Sequence, residues 1–340
     1  MDIEITDKWN KFLDLFPIEK KDIYFTEEYV KFSLVDNRIP LCIICKEKDY
    51  ILLMPFWQGK IENYFDFETP YGYGGPISNT ENKEWISKAL NEMNEYLKKQ
   101  NYLDGFIRFH PLLKNNDYCR NNFTVKDDRN TIAIDLTNDI EQVWLTEISS
   151  KNRNMIRKAE KNGLIFEADY GYKYIEEFES LYNETMKRLD ADSFYFFDKD
   201  YYKKYCKEFV KKGFLGIIKK DTEIVGAALF IIEKPYGHYH LAGSKRELSS
   251  LGINNFLLWN AAKEMKKNNV SFFHLGGGTN GDKENSLYKF KSSFSKSIYQ
   301  FSIGKIIYNN EKYNRICEKW QNENSEKVEQ YKNILLKYRY

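Results

Sequence analysis

Apolar positions along this chain fall into two interleaved rhythms, short alternating or continuous runs and longer stretches with a repeat of three to four residues. In the first part the helical rhythm marks Trp9 to Phe16 and Glu27 to Leu34. Two strands are predicted next, Pro40 to Lys46 and Tyr50 to Trp57, followed by an aromatic loop, YFDFETPYGYGGP, from Tyr64 to Pro76, punctuated by Gly and Pro. Asn82 to Gln100 reads as an amphipathic helix, with Trp85, Ile86, Leu90, Met93 and Leu97 on one face. The strands LDGFIRF and TIAIDL then close a mixed module near residue 145.

The second part repeats this order. A helical stretch from Ile140 runs through the basic segment SSKNRNMIRKAEKNG to Gly163, a plausible C-cap. Leu164 to Ala168 is a predicted strand, and Tyr172 to Leu189 and Asp198 to Lys212 are predicted helices. Three strands follow, FLGIIKK, EIVGAALFIIE and GHYHLAG, the last two joined by a turn at Lys234 and Pro235. A helix from Leu251 to Lys267, the strand VSFFHL, a GGG loop, a short helix at Leu287 to Phe294 and a strand at Ile298 to Ile307 complete the module. Asn310 to Tyr340 reads as one long polar helix striped by Ile316, Trp320, Val328, Tyr331 and Leu335. Strands, hairpin and helices around a central sheet define an α+β layered fold. Meeting the order twice suggests duplication.

Composition narrows the picture. The 340 residues suit two domains of about 150 each. With 42% hydrophobic and 30% charged residues the chain reads as globular. Its 26 Tyr and 24 Phe can stack on sugars or bases, although a Lys-, Asn- and Ile-rich usage also fits an AT-rich coding bias. A net charge of +2 provides no global field for nucleic acid, so any polyanion must meet a local patch. The first ten residues alternate acidic and apolar positions without the regions of a signal peptide. No apolar run approaches the roughly 20 residues that span a bilayer. Five scattered cysteines make no disulfide framework, and Cys42 and Cys45, three apart on a strand, point to opposite faces and cannot share a metal. A reducing, cytoplasmic setting and no metal centre are the expectations.

The most informative stretch is VSFFHLGGGTNGDKENSLYKFKSSFSKS, from Val270 to Ser297. Three glycines after a strand either let backbone approach a ligand with free amides or simply ease a tight turn into the next helix. The spacing is not that of a P-loop. Lys289 or Lys291 on that helix can face a tetrahedral oxyanion or a phosphate, though surface lysines are more often merely solvated. Lys151, Arg153, Arg157, Lys158 and Lys161 make a basic segment, with Arg153, Arg157 and Lys161 along one helical face. Such a stripe can clamp phosphates or be a plain solvated face.

The strand, glycine loop and LYKFKSSF together resemble the signature of the FemABX family, GNAT-like peptidoglycan-bridge aminoacyltransferases. The basic segment Ser149 to Gly163, the strand YHLAGS before the LLW of Leu257 to Trp259, and the GGP of Gly74 to Pro76 are similar to family features in the family's order. The resemblance implies two tandem GNAT-like domains with mixed central sheets: residues 1–145, with the C-terminal helix 310–340 packing back on them, and residues 146–309, carrying the acyl-transfer site. It implies Phe290 and Lys291 at that centre, Lys291 as the oxyanion-side cation. Tyr73, His110, Arg188, Tyr239 and Tyr288 become substrate-binding candidates, and Arg153, Arg157, Lys161 and Gly252 donor or phosphate candidates. Two positions depart from pattern. The family's Asp-Pro reads His110-Pro111 here, so the acceptor can differ or His110 can be a half-buried strand-end residue. The pyrophosphate motif [QR]xxGx[GA] reads SSLGIN, Ser249 to Asn254, retaining only Gly252, which weakens acetyl-CoA as donor.

The expected activity is therefore N-acyl transfer, from aminoacyl-tRNA to an amine of a cell-wall or nucleotide-sugar precursor, with no tightly bound cofactor. An acyl-CoA donor acting on an amino sugar of a surface polysaccharide is the alternative. A non-catalytic module binding a cell-wall precursor is a third reading. Peripheral contact with a lipid-linked precursor, without membrane insertion, is compatible with all three.

Overall fold

The computed structural model describes residues 1–34 and 37–340. In chain order the main elements are β1 (Asp2–Thr6), α1 (Asn10–Leu13), α2 (Glu27–Phe32), β2 (Ile39–Glu47), β3 (Tyr50–Ile61), β4 (Tyr64–Glu68), β5 (Ile77–Ser78), α3 (Lys83–Lys99), β6 (Tyr102–Arg108) and β7 (Thr124–Asp135). They continue with α4 (Ile140–Thr146), α5 (Ser150–Lys161), β8 (Leu164–Asp169), α6 (Ile175–Arg188), α7 (Lys199–Phe209), β9 (Gly213–Lys220), β10 (Glu223–Glu233), β11 (Tyr236–Ser244), α8 (Ile253–Lys267) and β12 (Phe272–Gly277). The last are α9 (Ser286–Ser292), β13 (Ile298–Ile307), α10 (Asn310–Glu323) and α11 (Val328–Tyr331).

The chain divides into two compact units, Met1–Asp128 with Gln300–Tyr340, and Arg129–Tyr299. The sequence suggested divisions near 145 and 309. The observed ones fall inside β7 and β13, strands with no change of composition to mark them. No helix among the described residues is long and apolar enough to cross a membrane.

In unit 1 the strands neighbour one another as β1-β2-β3-β4-β6-β13, with β5 on β3. β2 is continuously apolar because both its faces are covered: Cys42, Ile43, Ile44 and Cys45 are all buried. Helix α3 opens with Asn82 accepting a hydrogen bond from the Trp85 amide and lays Trp85, Ile86, Leu90, Met93 and Leu97 into the core. Two strands replace expected non-strand segments. The acidic–apolar alternation at the N-terminus is β1, paired with β2. The start of the predicted loop is β4, whose acidic positions Asp66 and Glu68 are buried because Arg339, and Arg38 with Arg108, neutralise them from far along the chain. The 140–163 stretch is two helices, since Ser149 stops the first run and caps α5 by accepting from the Asn152 amide. The long tail helix likewise ends at Glu323, and its remainder is short turns that bring Tyr338 and Arg339 onto Asp104 and Asp66.

Unit 2 orders its strands β7-β12-β11-β10-β9-β8. Its core packs α8, through Phe256, Leu257, Leu258 and Ala262, against Phe214, Phe230 and Phe273 of the strands. On α6, Leu181 and Tyr182 lie directly over Gly243: a Cβ there would stand 2.6 Å from the Leu181 carbonyl and the Tyr182 amide. Because those are backbone atoms that cannot swing aside, Gly243→Ala is expected to destabilise by about 1–3 kcal/mol. Thermal unfolding would read this as a Tm drop of about 2–4 °C per kcal/mol, and an unchanged Tm would show that α6 shifts freely.

Both units contain the same local arrangement, an antiparallel hairpin whose second strand runs parallel to the strand after the next helix. In unit 1 this parallel pair, β4 and β6, is joined from Phe65–Tyr102 to Glu68–Phe106. Beyond the strand ends the Thr69 amide donates to the Phe106 carbonyl, the Arg108 amide donates to Thr69 Oγ1, and Gly74 bridges to Phe109. In unit 2 the pairing of β11 with β12 ends at His238 and His274, while the strands continue to Ser244 and Gly277. The unit 1 pair is stitched along its length and the unit 2 pair opens into a wedge.

The cysteines are free thiols, four of them buried and Cys206 partly so. Burial raises them, Cys45 to about 12 and Cys206 to about 11.

Candidate active site

The wedge of unit 2 is where candidate chemistry collects. A β-bulge leaves His240 of β11 as an extra residue opposite Leu229 and Phe230 of β10 and turns β11 locally, and Tyr239 packs against the core on the side of Phe230, with ring centroids 5.8 Å apart. β12 has its own irregularity between His274 and Gly276, and Gly276 has φ of +73°, a left-handed conformation that favours glycine. Gly277 ends the strand against Asn130, whose carbonyl would be 2.7 Å from any Cβ. The chain then loops out and returns as α9, whose N-cap Asn285 accepts from the amides of Leu287 and Tyr288.

One helical turn beyond Leu287, Lys291 points back at the strand. It is 8% exposed, its Nζ donates to the Gly277 carbonyl at 2.8 Å, and the same atom stands 5.8 Å from the centre of the Tyr239 ring. Lys291 therefore spans the wedge from β12 to β11. Among the described residues no carboxylate pairs with it. Burial lowers its pKa to about 8. Lys289, by contrast, is exposed and bound to Glu284. Phe290 packs edge-on to Phe294, 5.3 Å between centroids, against the core of the unit. Tyr288 is half-buried, lying along Gly278.

The loop between strand and helix is held from two sides. Arg129 Nη1 donates to the carbonyls of Gly278 (3.2 Å) and Thr279 (2.9 Å). Asn285 Nδ2 donates to Thr279 Oγ1 at 2.7 Å.

Gly252, with φ +79° and ψ +31°, turns the chain into α8, and no side chain caps that helix. Its first-turn amides lack intrahelical acceptors by geometry, and the helix dipole favours an anion there. A Cβ on Gly252 would meet the Met155 carbonyl of α5 at 2.8 Å. The three basic candidates on α5 have separate surroundings. Arg153 is turned to the end of α4, donating to the carbonyls of Trp144 (3.2 Å), Leu145 (3.3 Å) and Ile148, so its guanidinium serves as a helix cap rather than part of an open stripe. Arg157 is exposed, with its guanidinium 5.5 Å from the Trp144 ring centre, and Lys161 is exposed.

Arg188, at the end of α6, donates to the Ser244 carbonyl at 3.2 Å and so sits at the C-terminal end of β11. His240 binds the Tyr201 hydroxyl at 2.7 Å and stacks on Tyr205, and burial with the nearby His238 lowers it to about 4, so it is neutral at pH 7.

The two unit 1 candidates lie in an aromatic cluster, with Tyr73 edge-on to Tyr24, His110 and Phe301. His110 is not the half-buried strand-end residue of the simpler expectation: it is 0% exposed, with Nε2 at 2.9 Å from the buried Asp22 carboxylate and Nδ1 accepting from the Leu113 amide. Both ring nitrogens are thus engaged inside the fold, the amide contact places the proton on Nε2, and the ring presents no edge to solvent for proton exchange with an acceptor.

Sequence reasoning missed Asn152, Arg129 and Asn285. Asn152, 2% exposed, accepts from Asn255 Nδ2 (2.7 Å) in the first turn of α8 and donates to the Ser293 carbonyl (3.3 Å) beyond α9, tying the donor-side helix to the helix of Lys291. It stands in the basic segment, an uncharged residue among five cations. Asn285 was legible as an N-cap residue before LYKF. Arg129 carried no local signal.

This geometry agrees with known proteins. Residues 150–292, within the second unit, match the family described as Acetyltransferase (GNAT) domain. Over both units the chain has the fold of FemX, with a TM-score of 0.74 at 13% identity, covering 93% of this chain and all of that one. It is also similar to the C-terminal domain (DUF2156) of a putative lysylphosphatidylglycerol synthetase from Agrobacterium fabrum, with a TM-score of 0.55, 12% identity, and coverage of 89% of this chain and 92% of that one. A tandem GNAT protein from the clavulanic acid biosynthesis pathway gives a TM-score of 0.52 at 7% identity, covering 91% and 99%. No curated protein matches the sequence.

Proposed function

We propose that this chain is an N-acyltransferase that moves an aminoacyl group from aminoacyl-tRNA to an amine of a cell-wall or nucleotide-sugar precursor, with Lys291 facing the developing oxyanion. The observation that carries the reading is a buried ammonium at the mouth of the wedge, held by a carbonyl and an aromatic face, with no acid among the described residues to neutralise it. A desolvated cation of this kind interacts strongly with negative charge that appears during reaction. The acceptor amine attacks the ester carbonyl, a C–N bond forms, and the C–O bond to the ribose breaks. The amine gives up a proton and the leaving oxygen takes one. With its pKa near 8, Lys291 is protonated by roughly ten to one at pH 7 and offers N–H donors to the oxyanion. Arg188 at the end of β11, with Tyr239 and Tyr288 along the wedge, supplies substrate-binding groups in this reading, and Tyr73 does so in unit 1. The likeness to FemX supports a cell-wall acceptor.

An acyl-CoA donor is the second reading. The Gly252 turn and the uncapped N-terminus of α8 favour it as a place for a pyrophosphate, as does the GNAT family match. Thermal shift distinguishes the donors. Aminoacyl-tRNA is expected to raise Tm, with acetyl-CoA and free CoA leaving it unchanged. Stabilisation by acetyl-CoA alone reverses the order. Binding of a nucleotide-sugar precursor with no donor ever consumed would identify a non-catalytic module.

A further inference from the structure

We infer that Arg129 is a positioning residue for Lys291, acting through the glycine loop; the inference rests on the role of Lys291 proposed above. Lys291 has its acceptor in the backbone, the Gly277 carbonyl, so the ammonium is placed only as well as that carbonyl is placed. Gly277 is the last residue of β12, and Thr279 through Glu284 beyond it are all exposed. A strand end followed by an exposed glycine-containing loop has little to fix it from packing. Gly277 itself is in register with Thr131 of β7, and the chain that leaves it is held by Arg129. Its guanidinium takes two successive carbonyls immediately after Gly277, those of Gly278 and Thr279. The side-chain stem lies alongside Gly277 itself, where Arg129 Cδ would be 3.3 Å from an added Cβ. A planar guanidinium bound to two carbonyls fixes direction as well as distance, which a lysine cannot do.

The far end of the loop is fastened separately. Asn285 holds Thr279 through its amide nitrogen and the first turn of α9 through its oxygen. Gly278 lies against both Asn285 and Tyr288, and a Cβ there would meet Asn285 Oδ1 at 2.7 Å. Arg129 and Asn285 therefore clamp the loop between the strand that supplies the carbonyl and the helix that supplies the lysine. With the clamp in place water is kept from Lys291 and its ammonium stays poorly solvated. With the clamp open the loop admits water and the lysine titrates like an ordinary one.

The test reads Lys291 directly and needs no substrate. Lysines are reductively methylated with ¹³C-formaldehyde, and the Lys291 signal, identified by its loss in Lys291→Arg, is titrated by NMR. The unaltered protein is expected to show a midpoint near 8. Arg129→Ala should raise it by one pH unit or more towards the ordinary value, while circular dichroism and Tm show the unit still folded. Asn285→Ala should move it the same way, and serves alone if Arg129→Ala does not fold. A Lys291 midpoint unchanged in the folded variants overturns the positioning role. Failure of the parent reading looks different: Lys291→Ala would retain acyl transfer, whatever Arg129 does to the titration.

Discussion

Lys291→Ala should lower kcat for acyl transfer by about 10²–10³, the loss typical when one preorganised oxyanion partner is removed. The fold should survive the change. Lys291 is buried as a cation with no counter-ion among the described residues, and its depressed pKa means that burial disfavours the charged form. The folded pKa lies near 8, below that of a free lysine, so this unfavourable contribution is present at pH 7 and fades as pH rises through 8 towards the unfolded value. Removing the charge should thus leave Tm at pH 7 equal or higher, so that lost activity cannot be mistaken for unfolding. The same titration gives a second signature. If the ammonium form acts, kcat is level below about pH 8 and falls about tenfold per unit above it. An alanine variant with normal kcat, or a rate that climbs through pH 8, would remove Lys291 from the mechanism.

A second large effect is expected in unit 1, where the C-terminal turn closes over two acids. Asp66 and Asp104 are directly opposite on parallel strands and both are 0% exposed. The Tyr338 hydroxyl is 2.8 and 2.9 Å from the two Asp104 oxygens and 3.1 Å from Asp66, whose carboxylate also takes Arg339 Nε at 2.7 Å. Burial, and then the Asp66 charge, push Asp104 up to about 8. At neutral pH Asp104 is therefore largely protonated, with the Tyr338 hydroxyl between it and Asp66 and with Arg339 paired to Asp66. Because the folded pKa exceeds the unfolded one, this proton's stabilisation is complete below about pH 4. It is lost at about 1.4 kcal/mol per pH unit until pH passes 8. The phenols of Tyr308 and Tyr313, also facing Asp104, are held well above this range by burial and do not titrate within it. Urea midpoints of the unaltered protein should fall between pH 5 and pH 8 and then level off, and Asp104→Asn should flatten most of that slope. An identical slope in the asparagine variant would mean that another group carries it.

How much of this was readable beforehand depended on whether a signal was local. The helix α3 announces itself by period because it buries a single face, while β10 and α8 announce themselves as apolar runs because they are buried almost throughout. β4 did not, since Asp66 and Glu68 look like loop residues until Arg339, Arg38 and Arg108 arrive from other parts of the chain. The long tail helix was over-read for the mirror-image reason: its stripe continues past Glu323, but Tyr338 and Arg339 gain more from the buried acids than a helix would give them. In the candidate site, the glycines and Lys291 stood within one stretch of sequence. Arg129 did not, being brought to that stretch by the register of β7 against β12. The histidine of RFHP was legible as a titratable group and illegible as a locked one, because its partner Asp22 lies 88 residues away.

The contrast between the stitched pair in unit 1 and the open pair in unit 2 bears on how the chain can change its ligands. Where β11 leaves β12, main-chain groups remain available, and recognition by main chain is indifferent to side-chain identity, so surrounding residues can vary while the chemistry persists. Along β4 and β6 the main chain is already engaged with itself, and a ligand there must be read by side chains such as Tyr73 and Arg108. Under the proposed function, in which Tyr73 is a substrate-binding residue of unit 1, a library aimed at changing specificity belongs on side chains of unit 1, with the wedge left intact.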